Sequence, residues 1–177
     1  MNLCQKSDYI VSLVDHFEIG DTTYLVSKYA QGGDLFEYCL RQPDQSKWMS
    51  EHRARHIIQQ IAKGVRDMHK KNLVHFDLKL LNVFVCSNSL YPKIKIGDLG
   101  LTSQLESNAK FDKCCGTLAF MSPEMVQKLP TDSKSDIWSL GIILYSMIGT
   151  KHPFTPVDSK KDLQRKICST EVTFEGK

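Results

Sequence analysis

The sequence predicts an α+β fold, with a strand hairpin at the start of the chain and helices in most of the remainder. Residues 10–14 and 23–26 are β-branched or aromatic runs separated by the turn-forming pair Gly20-Asp21, which is typical of a hairpin. Apolar residues then recur with helical spacing over residues 54–68, and nine of the twelve residues at 137–148 are apolar. A chain of 177 residues is long enough to bury a core without disulfides.

The first long helix is predicted to begin after Ser50. Six apolar residues lie at offsets 0, 3, 4, 7, 11 and 14, on one helical face: Ala54, Ile57, Ile58, Ile61, Val65 and Met68. We expect Ser50 to cap this helix and Glu51 to favour its positive first turn. The second long helix, over residues 137–148, is apolar on all sides, so we expect it in the middle of the protein, ending at Gly149.

Shorter elements are predicted around these two helices. Apolar runs at residues 73–75, 83–86 and 93–96 indicate small strands. Residues 98–135 have no sustained period, and structureless stretches beyond about 15 residues are uncommon in compact domains unless they have a function. Two short helices complete the prediction, over residues 35–40 and 160–168.

Composition excludes several classes of protein. Twenty-three Lys and Arg against twenty Asp and Glu give a net charge of +3 with no basic block, so nucleic acid is not an expected partner. The longest apolar stretch has 12 residues, whereas a membrane span needs about 20, so no membrane partner is expected either. The start of the chain lacks a signal-peptide pattern, which favours a cytoplasmic or nuclear location. The six scattered cysteines are therefore expected to be thiols.

Three motifs carry the chemistry, and they stand in a fixed order. They are HFDLKLLN at residues 75–82, DLG at 98–100 and SPE at 122–124. The first motif fixes four positions that chance would reproduce about once in 10⁴ to 10⁵ starting points. By these motifs the chain resembles the eukaryotic protein kinases, whose catalytic loop, magnesium-binding triplet and activation-segment end occur in this order. Residues 24–34 resemble the hinge of that family, and residues 135–141 resemble its central helix.

The resemblance implies a protein kinase-like fold whose large lobe is mainly helical. Residues 1–177 are then a partial kinase domain, in which residues 1–27 are the end of the small lobe and 28–34 the hinge. Residues 35–177 are expected to form a large lobe that is incomplete. No G-x-G-x-x-G motif and no Val-Ala-Ile-Lys-like strand occur in the sequence, so the phosphate-gripping parts are expected to lie before the first residue.

The implied reaction transfers the γ-phosphate of ATP to a serine or threonine hydroxyl of a protein substrate. Phosphoryl transfer needs a carboxylate beside the attacking hydroxyl, and Asp77 is expected to be that base. Lys79 lies two residues on and is expected to neutralise the γ-phosphate. By resemblance, Asn82 and Asp98 supply the hard oxygen ligands of Mg²⁺. The cofactors implied are ATP and Mg²⁺.

Four other residues are expected to bind the nucleotide. By resemblance, the backbones of Lys28 and Ala30 meet the adenine, and Phe84 covers one adenine face. Asp34 is expected either to reach the ribose or to act only as a helix N-cap, and the sequence does not choose between the two.

The serine/threonine type is favoured by Lys79 in the catalytic loop and by Gly116-Thr117 before the SPE motif. The sequence around the DLG motif is similar to that of the NIMA-related kinases, although calmodulin-dependent-like kinases share many of the same residues. One departure stands out, since Phe76 replaces the arginine that commonly pairs with a phosphorylated activation loop. Candidate phosphorylation sites in this region are Ser103, Ser107 and Thr117.

The main alternative is a catalytically inactive, pseudokinase-like scaffold or binding fragment, suggested by the absent glycine-rich loop and strand lysine. The presence of Asp77, Lys79, Asn82 and Asp98 favours the enzyme, because a scaffold has no physical need for all four. A plain helical interaction module would make all three motifs accidents.

Overall fold

The computed structural model describes residues 7–41, 49–105, 115–149 and 151–173. The strands in these ranges are β1 Leu13–Ile19, β2 Thr22–Ser27, β3 Leu73–Val74, β4 Val83–Val85, β5 Ile94–Ile96 and β6 Ser103–Gln104. The helices are α1 Leu35–Leu40, α2 Glu51–His69, α3 Pro123–Val126, α4 Lys134–Ile148 and α5 Lys160–Ser169. Within the described ranges, three single 3₁₀ turns lie at Leu80–Asn82, Leu99–Leu101 and Leu118–Phe120. The predicted α+β class is confirmed.

The first two strands form an antiparallel hairpin that turns at Gly20, whose φ of +59° suits glycine. The strand predicted at residues 10–14 is wrong in its bounds, because β1 begins three residues later. Ile10 is fully buried and makes only an isolated parallel bridge to Ile96, so it belongs to the core rather than to the hairpin. Most of the hairpin side chains are exposed, and a stacked pair crosses the two strands, Phe17 on Tyr24, with ring centroids 5.1 Å apart.

The main core lies where α1, α2 and α4 meet the antiparallel pair β4–β5. Its buried members come from all of these elements and from the loop between β3 and β4, and include Leu35, Ile57, Ile61, Leu78, Val83, Ile96, Ile143 and Met147. Helix α2 buries the predicted apolar face, with Ile58 half-buried at its edge. Burial of this face, more than helix propensity, stabilises the helix.

Two helix predictions need correction. Ser50 stands at the N-cap of α2 with extended backbone, but its side chain makes no capping hydrogen bond. Helix α4 ends before Gly149 as predicted, yet it is not enclosed on all sides, since Ile137 is 53% and Ile148 is 42% exposed. An apolar sequence therefore predicts that a helix can be buried, while the neighbouring elements decide which face is covered.

The segment from residue 98 to 135 is ordered in its described part, through short elements rather than a regular one. A 3₁₀ turn at Leu99–Leu101 comes first, and strand β6, which pairs with β3, follows it. A second 3₁₀ turn lies at Leu118–Phe120, and α3 begins at Pro123. Short helices α1 and α5 match their predicted positions to within one residue. No helix in the described ranges combines the length and apolar character that a bilayer crossing requires.

Candidate active site

The loop between β3 and β4 is held by a carboxylate from the start of α4. Asp136 is 1% exposed, and its two oxygens accept the backbone N–H groups of His75 at 2.9 Å and Phe76 at 3.0 Å. The His69 Nε2 atom, at the end of α2, lies 2.8 Å from Asp136 Oδ2. Because a buried carboxylate needs such partners, these contacts fix both the aspartate and the loop. Phe76 has φ +63°, a conformation that the surrounding bonds must stabilise.

The His75 ring joins this loop to the strand after it. Its Nδ1 accepts the N–H of Asp77 at 3.2 Å, so its Nε2 carries the proton that is donated to the carbonyl of Gly97 at 3.0 Å. The N–H of Gly97 is in turn donated to the carbonyl of Asn82 at 2.9 Å. Asp98 is the residue after Gly97, so these bonds bring the motif at residues 75–82 close to the start of the motif at 98–100.

The Asp77 carboxylate is the most heavily bonded group of the loop. Its Oδ2 accepts Lys79 Nζ at 2.7 Å and Asn82 Nδ2 at 3.1 Å. Its Oδ1 accepts both the N–H and the hydroxyl of Thr117, each at 2.8 Å. Burial raises the pKa of Asp77, but the bonds from Lys79 and Thr117 outweigh it, so the pKa lies below its usual range. The carboxylate is therefore ionised at neutral pH.

Thr117 closes the site from the other side. Lys79 Nζ is donated to Thr117 Oγ1 at 2.8 Å, so Asp77, Lys79 and Thr117 form a closed set of hydrogen bonds. Gly116 precedes it with φ +94°, and a Cβ there would lie 2.4 Å from the Phe76 carbonyl oxygen. Only glycine fits this contact, in both its backbone angle and its space.

Asn82 and Asp98 differ in their surroundings. Asn82 is 4% exposed, and its amide nitrogen is donated to the backbone carbonyl and to the carboxylate of Asp77. These bonds leave its side-chain oxygen as a fixed acceptor. Asp98 is exposed and has φ +51°.

The residues that are predicted to bind the nucleotide lie around the turn before α1 and in β4. Lys28 is exposed, and the Ala30 carbonyl accepts the N–H of Gly33 at 3.1 Å. Asp34 Oδ1 accepts the N–H of Glu37 at 2.8 Å, so its side chain caps α1. This is the capping alternative left open by the sequence.

Phe84 is half-buried and lies over the backbone of Gly97. A Cβ on Gly97 would sit 2.2 Å from the Phe84 ring. The Phe84 ring therefore leaves room only for glycine at position 97. Asp98 is the next residue of the chain. Phe84 and Asp34 also pair through an isolated antiparallel bridge, which brings the start of α1 to the same side.

Comparison with known proteins decides the family. A model described as "Protein kinase domain" matches residues 1–176. The chain belongs to the protein kinase domain family. It is 39% identical over 169 residues to serine/threonine-protein kinase Nek3 of Mus musculus, covering 94% of this chain and 32% of that protein. It is 34% identical over 167 residues to serine/threonine-protein kinase ATG1c of Arabidopsis thaliana, covering 94% and 22%.

A third relative, serine/threonine-protein kinase ULK1 of Homo sapiens, is 35% identical over 167 residues, covering 90% of the chain and 15% of that protein. The chain thus spans about a third or less of the length of these relatives. The predicted kinase resemblance is confirmed, and so is its serine/threonine type. The likeness to the NIMA-related kinases stays a prediction, as do the lobe boundaries.

Within this kinase fold, the structure brings together the five residues that were predicted to act in catalysis, to bind the metal or to cover the adenine. Asp77, Lys79 and Asn82 are in direct contact, and backbone bonds bring Asp98 and Phe84 to Asn82 through Gly97. Lys28 and Ala30 lie before α1, on the turn whose glycines Gly32 and Gly33 bond to Val85 of β4.

Sequence reasoning missed two contributors to this kinase site. Thr117 was predicted only as a substrate-type marker and phosphorylation site, whereas it binds Asp77 and Lys79 across 40 residues of sequence. His69 was not predicted at all. The sequence holds an indication of each. Gly116 allows residue 117 to come close to the Asp77 loop, and His69 lies one turn after Val65 on the buried face of α2.

The donor set near Asn82 fits the magnesium ion that kinases generally use. Mg²⁺ prefers carboxylate and amide oxygens and keeps several waters. Asn82 offers one fixed oxygen, because its nitrogen is engaged by Asp77, and Asp98, which follows the residue bonded to the Asn82 carbonyl, offers an exposed carboxylate.

Proposed function

We propose that the protein transfers the γ-phosphoryl group of ATP to a serine or threonine hydroxyl of a protein substrate. One observation carries the proposal: the Asp77 carboxylate is ionised and fixed by Lys79, Asn82 and Thr117, on a loop that Asp136 holds in place. Such a fixed carboxylate meets the positioning demand of phosphoryl transfer, where little covalent chemistry is left to the enzyme.

In this mechanism the substrate hydroxyl donates to Asp77 Oδ2 in place of Asn82 Nδ2, which keeps its bond to the Asp77 carbonyl, and Asp77 aims the hydroxyl oxygen at the γ-phosphorus. The lowered pKa makes Asp77 a weak base, so it takes the proton only as the oxygen–phosphorus bond forms and the hydroxyl becomes acidic. Lys79 brings a positive charge to the transferring group while remaining bound to Asp77 and Thr117.

Asn82 and Asp98 are proposed to hold Mg²⁺, which neutralises phosphate charge when it is bound. The backbone of Lys28 and Ala30 and the ring of Phe84 are proposed to hold the adenine. Asp34 is proposed to contribute through the cap of α1, which places the helix beside Phe84. A cytoplasmic or nuclear location stays a prediction.

The test measures transfer of labelled phosphate from ATP to a generic basic protein, by the 177-residue chain and by any longer product that its gene encodes. Asp77→Asn and Asp98→Asn are each expected to lower the rate by about 10²-fold or more. Asp15→Asn, which changes an exposed hairpin carboxylate, is the matched control and is expected to leave the rate unchanged.

If the longest product of the gene transfers phosphate no faster than its Asp77→Asn and Asp98→Asn variants, the enzyme proposal is wrong. The scaffold interpretation would then replace it. Activity of a longer product alone would limit the scaffold interpretation to the 177-residue chain.

A further inference from the structure

The two edges of the β1–β2 hairpin differ in how well they are protected against pairing with another strand. Within the described residues no third strand joins the hairpin, so each strand has one edge whose backbone groups can pair with another chain. Strand β1 carries Asp15, His16 and Glu18, and its register shifts between Leu13 and Asp15. Charges and bulges of this kind block edge-to-edge pairing in natural sheets.

Strand β2 has neither protection. Its six residues, Thr22–Ser27, include no charge and no proline, and all of them are exposed. Four of the six are β-branched or aromatic, which are the residue types that favour strands. An exposed and uncharged edge of this kind is a template for the addition of a further strand.

A hydrogen bond in β1 shows which backbone groups of β2 face outward. The His16 N–H is donated to the Asp15 carboxylate at 2.8 Å, so it points away from β2. Leu25 lies opposite His16, and this pair therefore exchanges no backbone hydrogen bonds, which leaves the Leu25 N–H and C=O facing away from β1. Because the pattern repeats every second residue, Thr23 faces the same way. Asp15 thus closes an outward N–H of β1, while no described group takes up that of Leu25.

One face of the hairpin is apolar as well as exposed. Phe17 lies opposite Tyr24 with the two rings stacked, and Ile19 and Val26 lie on the same face by alternation along their strands. All four side chains are exposed. A strand added beside β2 would extend this face together with the backbone ladder, so the edge fits a partner strand that is uncharged and apolar.

We infer that the β2 edge binds the β2 strand of a second copy of the chain, in an antiparallel pair about a two-fold axis. Strand β2 is itself exposed and uncharged, so pairing with its own copy puts no charge opposite another. Outward groups must meet outward groups, so Thr23 forms hydrogen-bonded pairs with Leu25 of the second copy, and Tyr24 lies opposite Tyr24. This inference does not rest on the proposed function.

The dimer is expected to be weak. Two paired strands of six residues bury less than the about 1,200 Å² of a stable interface, so we expect a dissociation constant of about 10–100 μM. Sedimentation equilibrium of the 177-residue chain from about 1 to 500 μM should show the mass rise from that of one chain toward that of two. A mass that stays at one chain over this range would overturn the inference.

Hydrogen exchange locates the contact. The Leu25 amide faces away from β1, so we expect it to exchange freely in dilute protein and to slow by about fivefold or more where the dimer predominates. The Val65 amide, inside α2, is the control and should exchange at the same rate at both concentrations. A Leu25 amide that exchanges equally fast in monomer and dimer would contradict pairing through β2.

Charge substitutions at Tyr24 test the two-fold axis. Tyr24→Lys and Tyr24→Glu each set like charges opposite each other, so each should raise the dissociation constant by about tenfold or more. An equimolar mixture of the two variants sets opposite charges there and should restore association to within about threefold of the wild type. Restored association also shows that both variants are folded.

Phe17→Lys is the matched control. It breaks the same stacked ring pair, but the two substituted residues of the dimer lie three strand spacings apart, about 14 Å, where solvent screens their charges. We expect it to change the dissociation constant by no more than about threefold. The inference is wrong if Phe17→Lys dissociates the dimer as strongly as Tyr24→Lys, or if the two Tyr24 variants do not associate when mixed.

Discussion

The β1–β2 hairpin and the loop between β3 and β4 are both short stretches of chain, yet their environments are opposite. In the hairpin, Leu25 is 60% and Ile19 is 62% exposed, and one stacked aromatic pair crosses it. In the loop, His75 is fully buried and Asp136 binds two consecutive backbone N–H groups. A two-stranded hairpin alone is marginal in water, so its apolar side chains contribute little here. The stability of the loop is therefore expected to depend on its buried groups, whereas the exposed hairpin side chains contribute little.

The largest effect is expected at Asp136. Asp136→Ala leaves the N–H groups of His75 and Phe76 buried without an acceptor and should lower the free energy of unfolding by about 3–5 kcal/mol. Denaturant unfolding measures this. Asp132→Ala, which removes an exposed bond to the start of the same helix, is the control and should cost about 1 kcal/mol. Equal losses in the two variants would contradict the comparison.

A smaller loss is expected at Thr117. Thr117→Val removes the hydroxyl that is donated to Asp77 and should cost about 1–3 kcal/mol at neutral pH, whereas Thr117→Ser should be nearly neutral.

The pH dependence of the same pair is set by Asp77. Because its pKa in the folded protein lies below the ordinary 3.8, its contribution to stability is complete above that value and is lost as the pH falls below it. Thr117→Val moves this pKa back up, so the wild type should lose more stability than the variant on going from pH 5 to acid. Parallel losses in unfolding titrations would show that Thr117 does not hold the Asp77 charge.

The cap of α1 should matter less. Asp34→Ala removes the bond to the Glu37 N–H and should cost about 1 kcal/mol, while Asp34→Asn should cost only a few tenths because the amide oxygen can still accept. Thermal or denaturant unfolding distinguishes the two. A large drop in ATP affinity for Asp34→Asn with stability intact would instead restore the ribose-binding alternative.

The smallest effect is expected in the hairpin. Leu25→Ala should change the free energy of unfolding by no more than about 0.5 kcal/mol, since the side chain is exposed. Ile96→Ala removes an aliphatic side chain of the same size from full burial and should cost about 2–5 kcal/mol. A Leu25→Ala loss near that of Ile96→Ala would mean that the hairpin is covered in solution.

Local patterns in the sequence determined the elements and the chemistry of this protein. The helical period places α2, alternation places β5, and residues 75–82 carry the whole Asp77, Lys79 and Asn82 set. These features are predictable because each depends on neighbours within a few residues along the chain.

Tertiary structure alone decided which distant groups meet. Thr117 reaches Asp77 across 40 residues, and no period in the sequence encodes this distance. The same holds for the covered face of α4 and for the start of β1, where Ile10 is drawn into the core by its bridge to Ile96. Long-range burial and hydrogen bonding set these features, because they depend on surfaces that only the folded chain brings together.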